Sequence, residues 1–114
     1  GLRGFDAEKA YQTIRRWYLG DRADQDVTAP FNRLGYIPND VSKTMEYTYT
    51  SWCLSKLALA LGHEEDAAEF LRRSQNYRNL YNPENGWVNR RDEDGQFMPF
   101  SGKYDKRGCV ESNV

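Results

Sequence analysis

Seventeen carboxylates and sixteen aromatic side chains share this chain with a single histidine and two cysteines, and that supply decides which reactions its residues could carry out. His63 with Cys53 and Cys109 falls short of the ligand set that zinc needs. Neither cysteine belongs to a CxxC pair, and Cys53 reads as a buried free thiol within a helix. Nucleophilic hydrolase chemistry has no second histidine to serve a cysteine, no GxSxG and no glycine loop that would cradle a phosphate. The acid-rich run RRDEDGQF places Asp92, Asp94 and Gly95 at the third, fifth and sixth positions of an EF-hand loop. It fails at both ends, where Arg90 and Ser101 stand, and reads as a solvated turn. Carboxylates among aromatics remain. Hydrolysing a glycosidic bond takes one protonated carboxyl for the leaving oxygen and a second carboxylate to activate water or attack, and aromatic rings give sugars flat apolar platforms. A chain this rich in both holds such groups by chance, so composition admits the chemistry without selecting it.

One carboxylate is singled out by its position. The stretch VSKTMEYTYTSW alternates like a strand over residues 45–50. Over the longer window to Leu61, however, Met45, Tyr49, Trp52, Cys53, Leu57, Ala60 and Leu61 recur at helical spacing, and length decides for a helix. At about 100° per residue Glu46 then points with Cys53 and Leu57, near the middle of the apolar face. A buried carboxylate without a partner is costly, so Glu46 is either a structural ion pair or cap, or it lines a ligand site.

The elements that would position it follow. Residues 5–18 carry Ala7, Ala10, Tyr11, Ile14, Trp17 and Tyr18 as the stripe of an amphipathic helix, with Asp6 as N-cap and Gly20 as its end. Residues 21–40 read as a long ordered loop anchored by Phe31, Leu34, Tyr36 and Ile37. Gly62 caps the Glu46 helix, and His63, Glu64, Glu65 and Asp66 begin the next one, whose buried side is Ala67, Phe70, Leu71, Ser74 and Tyr77. The two form an antiparallel hairpin. After Leu80 turn signals dominate, with a short β-hairpin expected between residues 87–89 and 96–98 around Asp94-Gly95.

Leu, Ile, Val and Phe number only 21 of 114 residues, but the net charge of −1 and the large aromatics favour a folded, mainly α single domain with a polar surface. Sixteen basic residues interspersed with the acids leave no footprint for nucleic acid. No apolar run reaches the roughly 18 residues of a membrane span. The amino terminus lacks the features of a signal peptide, and Gly1 in place of Met reads as the start of a processed or excised segment.

The motifs GLRGFD, FDAEKAY, LGYIP, VSKTMEYTYTSWCLSKLALALG, SQNYRNLYNPENGWVNRRDEDGQFMPF and CVESN, in that order, resemble the catalytic region of glycoside hydrolase family 92, the calcium-dependent exo-acting α-mannosidases. The resemblance covers nearly the whole chain. It implies that residues 1–114 supply antiparallel helical hairpins to part of an α/α six-hairpin toroid, with a loop-rich C-terminal segment, as an internal slice of a longer catalytic domain. It also implies an inverting mechanism on terminal α-linked mannose, with Glu111 of VESNV as general acid and Asn113 beside it. Ser112 departs from the small glycine usual there. Glu46 and Trp87 become site-lining candidates, calcium an expected cofactor with ligands outside this chain, and an extracytoplasmic compartment the expected location. Two other readings stand beside it: a tetratricopeptide-like interaction module, which would need a period near 34 residues where no internal repeat is seen, and a non-catalytic relative binding sugar through Trp87.

Overall fold

Asp6 opens the first helix as expected: its side chain accepts from the Lys9 amide at 3.0 Å and so satisfies one of the free donors at the start of α1 (Ala7–Tyr18). The computed structural model describes residues 6–19 and 28–99. Along these run α1, a short α2 (Thr28–Leu34), the 20-residue α3 (Val41–Ala60) and α4 (Glu64–Arg73). A 3₁₀ turn at Asn76–Leu80 leads into a two-stranded antiparallel ribbon, β1 (Tyr81–Asn82) with β2 (Trp87–Val88).

The α3–α4 hairpin turns as the glycine signal requires. Gly62 takes φ +86°, its amide donates to Leu59 O and the His63 amide to Ala58 O, which together close a Schellman motif. Asp40 caps α3 by accepting from the Lys43 amide at 3.0 Å, and Glu64, Glu65 and Asp66 sit in the first turn of α4 with Arg72 and Arg73 in its last. Tyr11, Tyr18, Leu54, Ala58, Ala67 and Phe70 form the main core, and a second cluster gathers Tyr36, Val41 and Leu80.

The region read as a loop contains a helix. Pro30 lies in the first turn of α2, where the ring removes no helical hydrogen bond. Phe31 is buried edge-on against Tyr47, and this contact between distant positions helps to anchor seven residues too short to show a period. Tyr36 and Ile37 are buried as anchors, while Leu34 is half-buried. Of the side expected to be buried, Ala67 and Phe70 of α4 and its C-cap Ser74 face inward, but Leu71 and, in the 3₁₀ turn, Tyr77 are exposed.

The larger correction concerns α3. Its buried side is Val41, Thr44, Thr48, Ser51, Leu54, Ser55 and Ala58, whereas Tyr49, Trp52, Cys53 and Ala60 face outward. The hydroxyls can go inside because each returns a hydrogen bond to its own helix: Thr44 Oγ1 to Asp40 O and Ser51 Oγ to Tyr47 O at 2.8 Å, Thr48 Oγ1 to Met45 O at 2.8 Å and Ser55 Oγ to Trp52 O at 2.6 Å. The result is a small, self-satisfied surface beside Leu54 and Ala58, which join Ala67 and Phe70 of α4 in the core.

Helix α1 is fastened to this hairpin at both ends. Near its end, the Tyr18 hydroxyl bonds Tyr47 O and Ser51 Oγ, and burial pushes its phenol up to about 12. Arg15 Nε, also in the last turn, and the Tyr11 hydroxyl in mid-helix both donate to Asp66, at 2.7 and 2.8 Å, and nearer its start the His63 ring stacks on Tyr11 with Nε2 2.7 Å from Glu8 Oε1. The Arg15 hydrogen bond, then that of Tyr11, holds the Asp66 carboxyl below its usual value of 3.8 against the opposing effect of burial. A depressed carboxylate stabilises the fold above its unfolded pKa and loses that contribution as pH falls through its lower folded value. Replacing Asp66 by Asn is expected to cost about 1–2 kcal/mol near neutral pH, at the low end for a charged hydrogen bond because water screens the 35%-exposed Arg15 side chain. Urea denaturation over an acid pH series checks this. The deficit of the variant should shrink below pH 3.8, and a deficit independent of pH would count against the linkage.

Candidate functional site

Glu46 lies in the second turn of α3 and is exposed, not centred on a buried apolar face. Its carboxylate therefore needs no buried partner, because the hydroxyl side of the helix lies inward and the aromatic side outward. Its surroundings are specific nonetheless. Helical spacing puts Ser42, Glu46, Tyr49 and Cys53 along one line of the outward face. Tyr49, 67% exposed, stacks on Trp52 with centroids 6.2 Å apart and planes at 23°, and Lys56 Nζ sits 5.4 Å from the Trp52 centroid. Burial, and secondarily the charge of Glu46, raise the pKa of the neighbouring Tyr47 phenol.

Trp87 stands on β2 and is 72% exposed. The structure does not bring it to Tyr49 or Trp52: among the described residues no ring contact joins them. It is held by asparagines. Asn89, buried, accepts through Oδ1 from Asn82 and Asn85 Nδ2 at 3.2 and 2.8 Å, and Asn85 Oδ1 accepts from the Trp87 amide at 2.9 Å. The strand that Trp87 occupies pairs backwards with Tyr81–Asn82, not forwards with residues 96–98 as expected. The forward turn does form, as a single antiparallel bridge between Arg91 and Phe97. In it Asp92 Oδ1 accepts from the Asp94 and Gln96 amides, both at 2.9 Å, and Gly95 takes φ +90°. The acid-rich run is thus a turn that uses its own carboxylate.

Sequence reasoning missed Arg91, which locks these pieces together. Its guanidinium lies between the Tyr36 and Phe97 rings, 5.3 and 5.1 Å from their centroids, while Nε donates to Gly95 O at 2.7 Å and Nη1 to Asn79 O at 3.0 Å. Its own carbonyl accepts from the Asn39 amide at 2.9 Å, and the Tyr36 hydroxyl donates to Asp92 O at 2.6 Å. No periodicity marks such a residue.

A cleft of about 330 Å³ opens elsewhere, lined by Arg33, Arg72, Arg73, Asn76 and Asn79 among others, and by no carboxylate. Its arginines already have partners: Glu69 holds Arg72 and Arg73, which keep its carboxyl near 2, Asn32 accepts from Arg73, and Glu93 lies 3.5 Å from Arg33. Asn79 Nδ2 donates to Gly35 O at 3.0 Å, and a side chain on Gly35, at φ +81°, would meet that nitrogen at 2.7 Å. The cleft is a structural joint between α2 and α4.

Among the described residues no group of three or more His, Cys, Asp or Glu could hold a metal ion, so they do not fit the implied calcium. Cys53, expected to be buried, is an exposed free thiol. Glu111 and Asn113 lie outside the described residues. No described helix is long and apolar enough to cross a membrane.

The antiparallel α3–α4 hairpin with the flanking helices and terminal ribbon has the architecture of part of an α/α toroid, matched by solved structures at TM-scores of 0.78–0.82. The profile of the glycosyl hydrolase family 92 catalytic domain matches residues 1–114, and the chain belongs to that family. It is similar to the family GH92 α-mannosidase BT3965 from Bacteroides thetaiotaomicron in complex with mannoimidazole, at 33% identity and TM-score 0.80 over 88% of this chain and 14% of that one. A second structure of BT3965 aligns at 32% identity and TM-score 0.82 over 90% and 14%. The family GH92 inverting mannosidase BT2199 from Bacteroides thetaiotaomicron VPI-5482 aligns at 30% identity and TM-score 0.78 over 90% and 15%. The chain thus spans about one seventh of the length of the solved relatives. A comparison with curated proteins gives no match.

Replacing Arg91 by Lys keeps the charge but removes the planar fork and the stacking on two rings. A loss of about 2 kcal/mol in urea unfolding is expected. A loss below about 0.5 kcal/mol, the range of an ordinary surface substitution, would count against the clamp.

Proposed function

We propose that residues 1–114 are one part of the catalytic domain of an inverting α-mannosidase that removes terminal α-linked mannose, in α-1,2 linkage, from glycans. The observation that carries this is the match of the whole chain to the family's catalytic domain, together with 30–33% identity to solved mannosidases, one of them holding mannoimidazole. In this reading Glu111 is the general acid and Asn113 binds substrate beside it. Trp87 offers an apolar platform for a sugar ring, and Glu46 a carboxylate near the site. The remainder of the catalytic domain supplies the base, the calcium ligands and the enclosure, so the isolated chain does not turn over substrate. The compartment is extracytoplasmic, where such glycans are met.

The physical requirement on Glu111 is that it keep its proton until the glycosidic oxygen departs. Enclosure in a site of low polarity, or a neighbouring negative charge, raises a carboxyl pKa and does this. Activity then falls as pH rises through that raised value, because the acid arrives deprotonated. Inversion leaves room for a water between acid and base carboxyls standing about 6.5–9.5 Å apart.

The decisive experiment uses the polypeptide that carries the complete catalytic domain, with α-1,2-linked mannobiose as substrate. Glu111→Gln should lower kcat by about 10²–10⁴-fold. A calcium chelator should lower turnover of the unsubstituted protein, and readdition of calcium should restore it. Unchanged turnover in the Gln form removes the assignment of Glu111.

A further inference from the structure

Of the eight asparagines in the chain, Asn85 alone precedes a glycine. Glycine has no Cβ, so its amide nitrogen approaches the preceding side-chain carbonyl with little steric opposition. In such a pair that nitrogen attacks Cγ: the N–Cγ bond forms, the Cγ–Nδ2 bond breaks, and ammonia leaves with the amide proton. Water then opens the cyclic imide. Opening at the side-chain carbonyl gives aspartate, and opening at the backbone carbonyl gives isoaspartate, whose main chain runs through one extra methylene.

The turn between β1 and β2 opposes this step at each reacting group. The Gly86 amide donates to Asn82 O at 2.9 Å, so the nucleophile's proton is held. Asn85 Oδ1 accepts from the Trp87 amide at 2.9 Å and Nδ2 donates to Asn89 Oδ1 at 2.8 Å, so the electrophile is turned away from Gly86. Asn89 is 2% exposed and its own Nδ2 donates to Val88 O at 3.1 Å, which fixes the acceptor that restrains Asn85. Water nevertheless has access. Asn85 and Gly86 are exposed, and a Cβ on Gly86 would meet nothing within 4 Å. The ribbon that keeps the turn closed has only the pairs Tyr81↔Val88 and Asn82↔Trp87, a length that opens locally at modest cost.

We infer that Asn85 is a modification site gated by its own turn: it stays an amide while the ribbon is closed and loses ammonia, to aspartate or isoaspartate, when the ribbon opens. The inference goes beyond the proposed function and holds whether or not the domain cleaves mannosides. Its consequence falls on the ribbon. Aspartate has no N–H to offer Asn89 and sets two oxygens against each other at that contact. Isoaspartate lengthens the main chain between Asn82 and Trp87, which are register partners, and so prevents the turn from closing again.

The test uses the polypeptide carrying the complete catalytic domain, held in mildly alkaline buffer with and without guanidinium. Conversion is read by mass spectrometry on the tryptic peptide of residues 79–90, with fragmentation to place it. At Asn85 it should be more than about 10-fold slower in the native protein than in guanidinium, because the turn must open first. A smaller ratio overturns the gate. Conversion spread evenly over Asn79, Asn82, Asn85 and Asn89 overturns the site. Gly86→Ala, compared in guanidinium so that folding plays no part, should slow conversion about 10-fold by crowding the attacking nitrogen. An unchanged rate there overturns the cyclic route.

Discussion

The arrangement of the molecule rests on four hydroxyls that satisfy themselves. Thr44, Thr48, Ser51 and Ser55 could not be buried if their oxygens needed partners across the interface, since each unpaired group would cost one to a few kcal/mol, about 1–3. By bonding to carbonyls three and four residues back they become, for packing purposes, small residues with no outstanding demand. Thr44 does more, since its oxygen also accepts from the Ile37 amide and so ties the entry loop to the first turn of α3. Ser51 meets the Tyr18 hydroxyl and carries α1. The packing of α4 on α3, the seating of α1 and the outward placement of Tyr49 and Trp52 are consequences of which side of α3 could be small.

That choice explains what could be read from the residues and what could not. Caps and turns were legible because they depend on local chemistry: Asp6, Gly62 and the acids that open α4 act within a few positions of themselves. The hairpin, its length and the mainly helical class followed from the same signals. The inward face of α3 was not legible, because hydropathy counts threonine as polar and tyrosine as apolar whatever their neighbours do. α2 was missed for another reason: seven residues hold too few turns for periodicity, and its place depends on Phe31 meeting Tyr47, a contact between distant positions.

The site divides along the same line. Motif order carried the family, which the profile match bears out over residues 1–114. It also leaves no need for the helical-repeat alternative. Positional reasoning about Glu46 went astray with the face of its helix, and Arg91 left no trace because its role is to join Tyr36, Asn79, Gly95 and Phe97 from separate stretches of chain. Residues that bridge segments show no pattern within any one of them.

The fastenings of α1 are of two unlike kinds, and dissolved ions act on only one of them. Arg15, in its last turn, pairs with Asp66 at partly exposed positions, where dissolved ions weaken the attraction. Tyr18 holds its last turn through hydroxyl bonds and ring contacts inside the core, which ionic strength hardly touches. Rising salt would therefore loosen the Arg15–Asp66 pair while the buried Tyr11 and Tyr18 rings keep the helix seated.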